Sequence, residues 1–170
     1  MINKDLRIEN SINHFDGYIF NSPVFYELHK NSLSVFFSFF LKNKLIGNIS
    51  FRNDNSNFTS PIQGTFGGIN FTENLHVEIM DQCVKLLVCE LKKMNLKSIK
   101  ISLPPFYQEG NYQSNIFLIL LNNNFKFLTS EVNHSINISD NYAYDLLDKD
   151  KKYRYRRSKE LGYIFQPSKN

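Results

Sequence analysis

Residues 33–52, which read LSVFFSFFLKNKLIGNISFR, decide the fold of this chain. Before the polar turn at 42–44, every second residue is apolar, and the residues between them are a mixture of serine and phenylalanine. A similar alternation follows the turn over 45–52. This period of two is typical of β-strands. The stretch therefore predicts a β-hairpin. Its first strand carries phenylalanine on both faces, at Phe36, Phe37, Phe39 and Phe40. Such a strand needs a cover on each side of its sheet.

Outside the hairpin, helix and strand patterns alternate along the chain. A short helix is predicted at 22–29, with Ser22 as its cap, and residues 54–59 are interpreted as a polar loop. The later elements are a strand ending the segment 63–71, a helix over 74–94, a strand over 97–103, a helix over 112–121, a strand over 125–138, a basic helix over 148–161 and a strand over 163–166. The strand–helix–strand unit over 65–103 predicts a parallel pair of strands.

These elements indicate an α/β fold whose central sheet is mixed, mostly antiparallel and flanked by helices. A length of 170 residues suits one domain. We divide it into an N-terminal arm with a short helix over 1–32, a core over 33–138, and a basic helix with a terminal strand over 139–170.

The cellular location is predicted from the absence of a membrane-spanning run and of a signal sequence. No apolar run approaches the ~20 residues that span a bilayer, and the polar N-terminus leads into no apolar signal core. The two cysteines, Cys83 and Cys89, fall in one helical pattern and are interpreted as reduced core residues. Neither has the spacing of a metal site. We expect a cytoplasmic protein without a bound metal.

Positive charge is concentrated near the C-terminus. The whole chain has a formal charge of +4, but residues 149–159 alone contribute +6 and leave −2 for the remainder. The candidate phosphate- or RNA-binding residues are Arg154, Arg156, Arg157 and Lys159, beside two tyrosines that could stack on bases. The alternative is a solvated helix face. Because the rest of the chain is nearly neutral, we do not expect DNA as a partner.

Residues 60–68, which read SPIQGTFGG, form the most distinctive motif. The glycine pair Gly67 and Gly68 lets a ligand or another strand approach the backbone directly. The alternative interpretation is a bulge that splays the sheet.

Two segments resemble motifs of the FemAB-like branch of the GNAT superfamily of acyltransferases. Residues 60–68 are similar to the Ser-Pro…Gly-Gly segment of that branch. Residues 152–162, KYRYRRSKELG, are similar to its Lys-x-Arg-x-x-Ile-Arg-Lys-Ala-x-x-x-Gly helix, and the approximate matches are Arg154, Arg157, Lys159 and Gly162. The order of elements also looks like a three-layer GNAT core. The resemblance covers residues 20–168.

This resemblance implies an enzyme that transfers an acyl group to an amine of a sugar or peptide cell-envelope precursor. Acyl-CoA or aminoacyl-tRNA would be the donor substrate, the acceptor would be a small amine, and no tightly bound cofactor is expected. The implied substrate-binding residues are Ser60, Thr65, Phe66, Gly67 and Gly68. The general base is not identified, and its candidates are His76, Glu78 and His134.

The chain departs from the GNAT pattern at the turn before the long helix. CoA-dependent members hold the pyrophosphate on a glycine-rich turn there, whereas residues 71–78, FTENLHVE, contain no glycine and include two glutamates. We therefore expect weak CoA binding, and the alternative function is a non-catalytic binding or interaction module that lacks a CoA site. A third interpretation is an RNA-binding domain. FemAB-like proteins usually pair two GNAT domains, so the predicted partner is a second such domain or a second copy of this chain, as a dimer.

Overall fold

A computed structural model describes residues 2–15, 17–105, 110–130 and 148–163. Its strands are β1 (Leu6–Asn10), β2 (Ser34–Leu41), β3 (Lys44–Asp54), β4 (Asn57–Ser60), β5 (Asn70–Phe71) and β6 (Ser98–Ile101). Its α-helices are α1 (Pro23–His29), α2 (Val77–Lys93), α3 (Gly110–Asn122) and α4 (Lys149–Glu160), and a 3-10 helix spans Ile19–Asn21. The chain divides into two compact units, Met1–Thr129 and Ser130–Asn170.

The first unit is built on a mixed sheet in the order β1-β2-β3-β4-β6, with β5 paired to β3. The predicted hairpin is confirmed as the antiparallel pair β2–β3. One parallel pair is present, but it joins β6 to β4. The strand predicted to pair with β6 is β5, which pairs antiparallel with β3 instead, so the partner predicted for β6 is wrong. All other pairings are antiparallel. The predicted α/β class with a mixed, mostly antiparallel sheet is therefore confirmed.

Several predicted boundaries are wrong. Residues 54–59 are a second hairpin instead of a loop, because Asn55 and Ser56 both adopt positive φ (50° and 70°) and turn the chain sharply into β4. The strand predicted to end the segment 63–71 is reduced to Asn70–Phe71, and β1 was not predicted. Residues 125–130 form no strand, and residues 131–138 lie outside the described part of the chain. Of the last predicted strand, only Tyr163 is described, and it is irregular.

One face of the sheet packs on α2 and α3 to form the main core. The strands contribute mainly aromatic side chains, including Phe37, Phe39, Phe51 and Phe58. The helix predicted over 74–94 is α2, and its buried residues form one apolar stripe, which consists of Met80, Cys83, Val84, Leu87 and Leu91. Helix α3 contributes Ile116, Ile119 and Leu120, whereas Leu121 is 40% exposed.

The opposite face of the sheet is covered by the chain's own N-terminal segment. Phe36 is buried against Tyr26 of α1, with 5.0 Å between ring centroids, and against Ile62. The Arg7 guanidinium lies 4.3 Å from the ring centroid of Phe40. The chain itself therefore covers these phenylalanines, and the predicted dimer stays a prediction. Helix α1 begins as predicted, because the Ser22 hydroxyl accepts the Phe25 N–H at 3.1 Å.

The two cysteines of α2 differ in environment. Cys83 is buried, and burial raises the pKa of its thiol to about 12. Cys89 is exposed, so its assignment to the core is wrong. Among the described residues, no three His, Cys, Asp or Glu side chains are grouped so that they could hold a metal ion. Within the same residues, no helix has both the length and the apolar character needed to cross a bilayer.

Candidate functional site

The motif at 60–68 lies between strands β4 and β5, where the pairing along one edge of β3 is interrupted. Strands β4 and β5 both run antiparallel along the same edge of β3, with Arg52 opposite Thr59 and Asn48 opposite Asn70. If the register of β4 continued, Asn48 would face residue 63, so seven extra residues leave the sheet between the two strands. We call residues 61–69 the interruption loop. On this edge, none of the described strands pairs with residues 49–51 of β3.

Ser60 lies at the start of this interruption. Its carbonyl accepts the Ser102 N–H at 3.0 Å, which extends the pairing of β4 with β6. The Ser60 side chain is fully buried, and within the described part of the chain its hydroxyl has no hydrogen-bond partner. A buried polar group without a partner costs about 1–3 kcal/mol. This hydroxyl is therefore the strongest candidate for contact with a ligand.

The glycine pair returns the interruption loop to the sheet. The Gly67 N–H donates to the Ser102 carbonyl at 2.7 Å, and the Gly68 carbonyl accepts the Asn21 side-chain amide at 2.6 Å. A Cβ on Gly67 would lie 3.0 Å from the Ser60 hydroxyl, and Gly68 has a φ of +82°. Other parts of the same chain therefore already bind the Gly67 N–H and the Gly68 carbonyl, which are the backbone groups that the glycines make approachable.

The outer part of the interruption loop is accessible to solvent. Thr65 is exposed and Phe66 is half-buried. The Phe66 ring makes edge-to-face contacts with Phe20 and Tyr18, with centroids 5.3 and 6.0 Å away. The five predicted substrate-binding residues therefore differ in burial. Ser60 and the glycine pair are buried, whereas Thr65 and Phe66 are accessible to solvent.

A buried polar network, which the sequence analysis missed, lies on the α1 side of β3. The Asn21 side chain accepts the Ser50 hydroxyl at 2.9 Å, and its backbone carbonyl accepts the Asn48 amide at 3.2 Å. Asn70 donates to the Asn48 side chain at 2.9 Å and accepts the Tyr18 N–H at 3.3 Å. The polar residues at 48 and 50 in an apolar strand were the available signal. The network fixes the 3-10 helix and the interruption loop to the sheet.

Helix α3 meets the other end of the interruption. The Tyr112 hydroxyl accepts the Phe71 N–H at 2.6 Å and donates to the Ile69 carbonyl at 3.0 Å. Gln113 is fully buried and donates its amide to the Tyr18 hydroxyl. Among the described residues, the Gln113 Oε1 has no hydrogen-bond partner. Neither Tyr112 nor Gln113 was predicted from the sequence as a site residue.

Two of the predicted general-base candidates are exposed to solvent, unlike the buried Ser60 and glycine pair. His76 and Glu78, at the start of α2, have side chains 74% and 82% exposed, with 3.9 Å between Nδ1 and Oε2. His76 occupies the N-cap position of α2, and its side chain makes no capping hydrogen bond. His134 lies outside the described residues. No general base is thereby added to the candidate site.

Helix α4 belongs to the second unit and agrees with its predicted extent. Asp148 caps it by accepting the Lys151 N–H at 2.9 Å, and Gly162 ends it with a φ of +75°. The four candidate phosphate-binding residues, Arg154, Arg156, Arg157 and Lys159, are all exposed. The helix has no buried residue.

A scan against protein-family models finds none that matches this chain, and a search of curated proteins finds no significant relative. The function is therefore argued from the residues of the site.

Proposed function

We propose that this chain is an acyl- or aminoacyltransferase domain of the FemAB-like GNAT type, acting on an amine of a sugar or peptide cell-envelope precursor. The observation that carries the proposal is the buried Ser60 hydroxyl, which has no hydrogen-bond partner among the described residues and lies beside residues 49–51 of β3. The similarity of residues 60–68 to the FemAB-like motif supports it.

The chemistry follows from the groups available at this edge. An amine that attacks a thioester or ester carbonyl produces a tetrahedral oxyanion, which N–H and O–H donors stabilise. Its collapse breaks the bond from the carbonyl carbon to the CoA sulfur or the tRNA oxygen, and the departing group takes up the proton that the amine loses. The products are an amide and a free thiol or hydroxyl. Ser60 supplies a hydroxyl donor at the start of the interruption loop. Cys83 stays a neutral thiol because its pKa is raised to about 12 by burial, so it does not serve as a nucleophile. We therefore favour direct transfer to the amine, without an acyl-enzyme.

Acetyl-CoA is expected to bind no tighter than the millimolar range. The turn between β5 and α2 has no glycine, and Glu73 and Glu78 are exposed there, where they would repel a pyrophosphate at the helix N-terminus. Titration calorimetry measures this affinity directly. A dissociation constant on the order of micromolar would contradict the prediction, and a Glu73→Gln/Glu78→Gln variant that binds more tightly would confirm its electrostatic cause.

Ser60→Ala is expected to lower transfer about 100-fold while leaving stability unchanged or slightly raised. Removing an oxyanion donor costs that order of rate, whereas removing an unsatisfied buried hydroxyl relieves a penalty. Transfer is followed as the mass increase of amino-sugar and peptide amines supplied with acyl-CoA or aminoacyl-tRNA, and stability by urea unfolding.

Ser38→Ala is the matched control for this substitution. Ser38 is equally buried, but its hydroxyl donates to the Ser11 carbonyl at 2.8 Å. Its loss should therefore cost about 1 kcal/mol of stability and leave transfer intact. A Ser60→Ala enzyme with wild-type turnover would contradict the role of this hydroxyl.

A non-catalytic binding module is the second candidate function. It is favoured by the glycine pair, because the Gly67 N–H and the Gly68 carbonyl already bond to the chain, and by the acidic turn before α2. This function predicts that the amine acceptors bind in a Ser60-dependent manner and that their mass never changes with any donor.

A further inference from the structure

Neither candidate function assigns a role to helix α4, which has an unusual composition. Its twelve residues include seven Lys or Arg, two acids, two tyrosines and one serine. None is aliphatic, and none is buried. A helix without an apolar face gains no stability by packing on a core. Ten of its twelve residues are exposed, and Lys152 and Ser158 are half-buried.

The positive charges form a continuous row on one face of α4. Lys149, Lys152, Arg156 and Lys159 follow the spacing i, i+3, i+7 and i+10, which places them on one side of the helix. Ten residues at 1.5 Å each give the row a length of about 15 Å. The three remaining cations lie around the rest of the surface. Such a row is suited to a chain of phosphates rather than to a single anion.

Two aromatic rings accompany this row. Tyr153 is 62% exposed and Tyr155 is 44% exposed. The Lys159 ammonium lies 5.0 Å from the centroid of the Tyr155 ring, and Arg157 donates to the Tyr153 hydroxyl at 3.3 Å. Each ring is therefore held beside a cation, which is the arrangement that binds a base and its phosphate together.

We propose that α4 is a binding site for single-stranded RNA, in which the cationic row contacts phosphates and the two tyrosines stack on bases. A membrane surface is disfavoured because interfacial helices bury an apolar face, and α4 has none. An acidic protein surface would satisfy the cations but would leave the exposed rings without a role. The proposal does not depend on any transfer activity of the first unit.

The test measures binding of a fluorescein-labelled 15-nucleotide oligouridylate to the full chain by fluorescence anisotropy, from 50 to 200 mM salt. Lys152→Gln/Arg156→Gln/Lys159→Gln should weaken binding at least tenfold at low salt. It should also reduce the slope of log affinity against log salt by about 2, since each phosphate contact on a single strand contributes about 0.7. Glutamine keeps the helix propensity, and circular dichroism verifies that the helix is retained.

The control removes the same charge from another exposed site. Lys92→Gln/Lys93→Gln/Lys97→Gln, around the end of α2, should change the affinity less than twofold. An equal loss in both triple variants would overturn the proposal, because it would show attraction by net charge alone.

A second pair of variants tests stacking separately from charge. Tyr153→Ala/Tyr155→Ala should weaken binding about tenfold or more, whereas Tyr153→Phe/Tyr155→Phe should stay within twofold. Unchanged binding by the alanine variant would overturn the RNA assignment. Equal or tighter binding to a 15-base-pair DNA duplex, or to phosphatidylserine vesicles, would overturn it as well.

Discussion

Gly47→Ala is expected to lower the free energy of unfolding by about 3 kcal/mol, at the upper end of the usual cost of overpacking. Gly47 lies in β3 between Phe39 of β2 and Phe71 of β5. A Cβ at this position would lie 2.3 Å from the Asn70 carbonyl oxygen and 2.7 Å from the Phe71 ring. The carbonyl belongs to the backbone, so relief of this contact requires β5 to move away from β3.

Urea unfolding of the first unit measures this cost, and two further variants identify its origin. Phe71→Leu in the Gly47→Ala background removes the ring contact but should not restore stability, because the conflict with the Asn70 carbonyl remains. Gly162→Ala is the control, because Gly162 lies in the second unit and its Cβ would meet nothing within 4 Å. It should leave the unfolding of the first unit unchanged. A Gly47→Ala protein within 1 kcal/mol of wild type would contradict the predicted contact.

The parts of the fold that the sequence predicted are those with a regular period. The alternation of β2 and β3 and the apolar stripe of α2 each repeat over several turns or residue pairs, so local sequence alone determined them. The turn at Asn55 and Ser56 was missed because neither residue is glycine, although both adopt positive φ. The two-residue strand β5 exists only through its pairing with Gly47 and Asn48, which no local pattern encodes.

The candidate site was predicted in its location but not in its chemistry. The motif at 60–68 indicated the interruption, because glycine and proline are strong local signals. The Ser60 hydroxyl finds no hydrogen-bond partner among the residues that the structure describes, and this property of the packed structure has no sequence signature. The buried asparagines were hidden for another reason. The chain contains 22 asparagines, so the three that form the buried network do not stand out in the sequence.

Asn21→Asp is expected to destabilise the first unit by more than about 3 kcal/mol at pH 7. The Asn21 side chain is fully buried, and its amide donates to the Gly68 carbonyl at 2.6 Å. An aspartate of the same shape places a carboxylate oxygen against that carbonyl and buries its charge. The Ser50 hydroxyl, which donates to Asn21 at 2.9 Å, compensates only one of the two oxygens.

The dependence on pH distinguishes this buried charge from a simple loss of packing. Burial raises the pKa of the new carboxyl in the folded state above its unfolded value of about 3.9. The deficit relative to wild type is therefore smallest below about pH 4, where the protonated acid can donate to the Gly68 carbonyl. It grows as the pH rises toward the folded pKa. Asn43→Asp, in the exposed turn between β2 and β3, should show no such growth. Parallel pH profiles for the two variants between pH 4 and 7 would mean that Asn21 does not hold the interruption loop through this hydrogen bond.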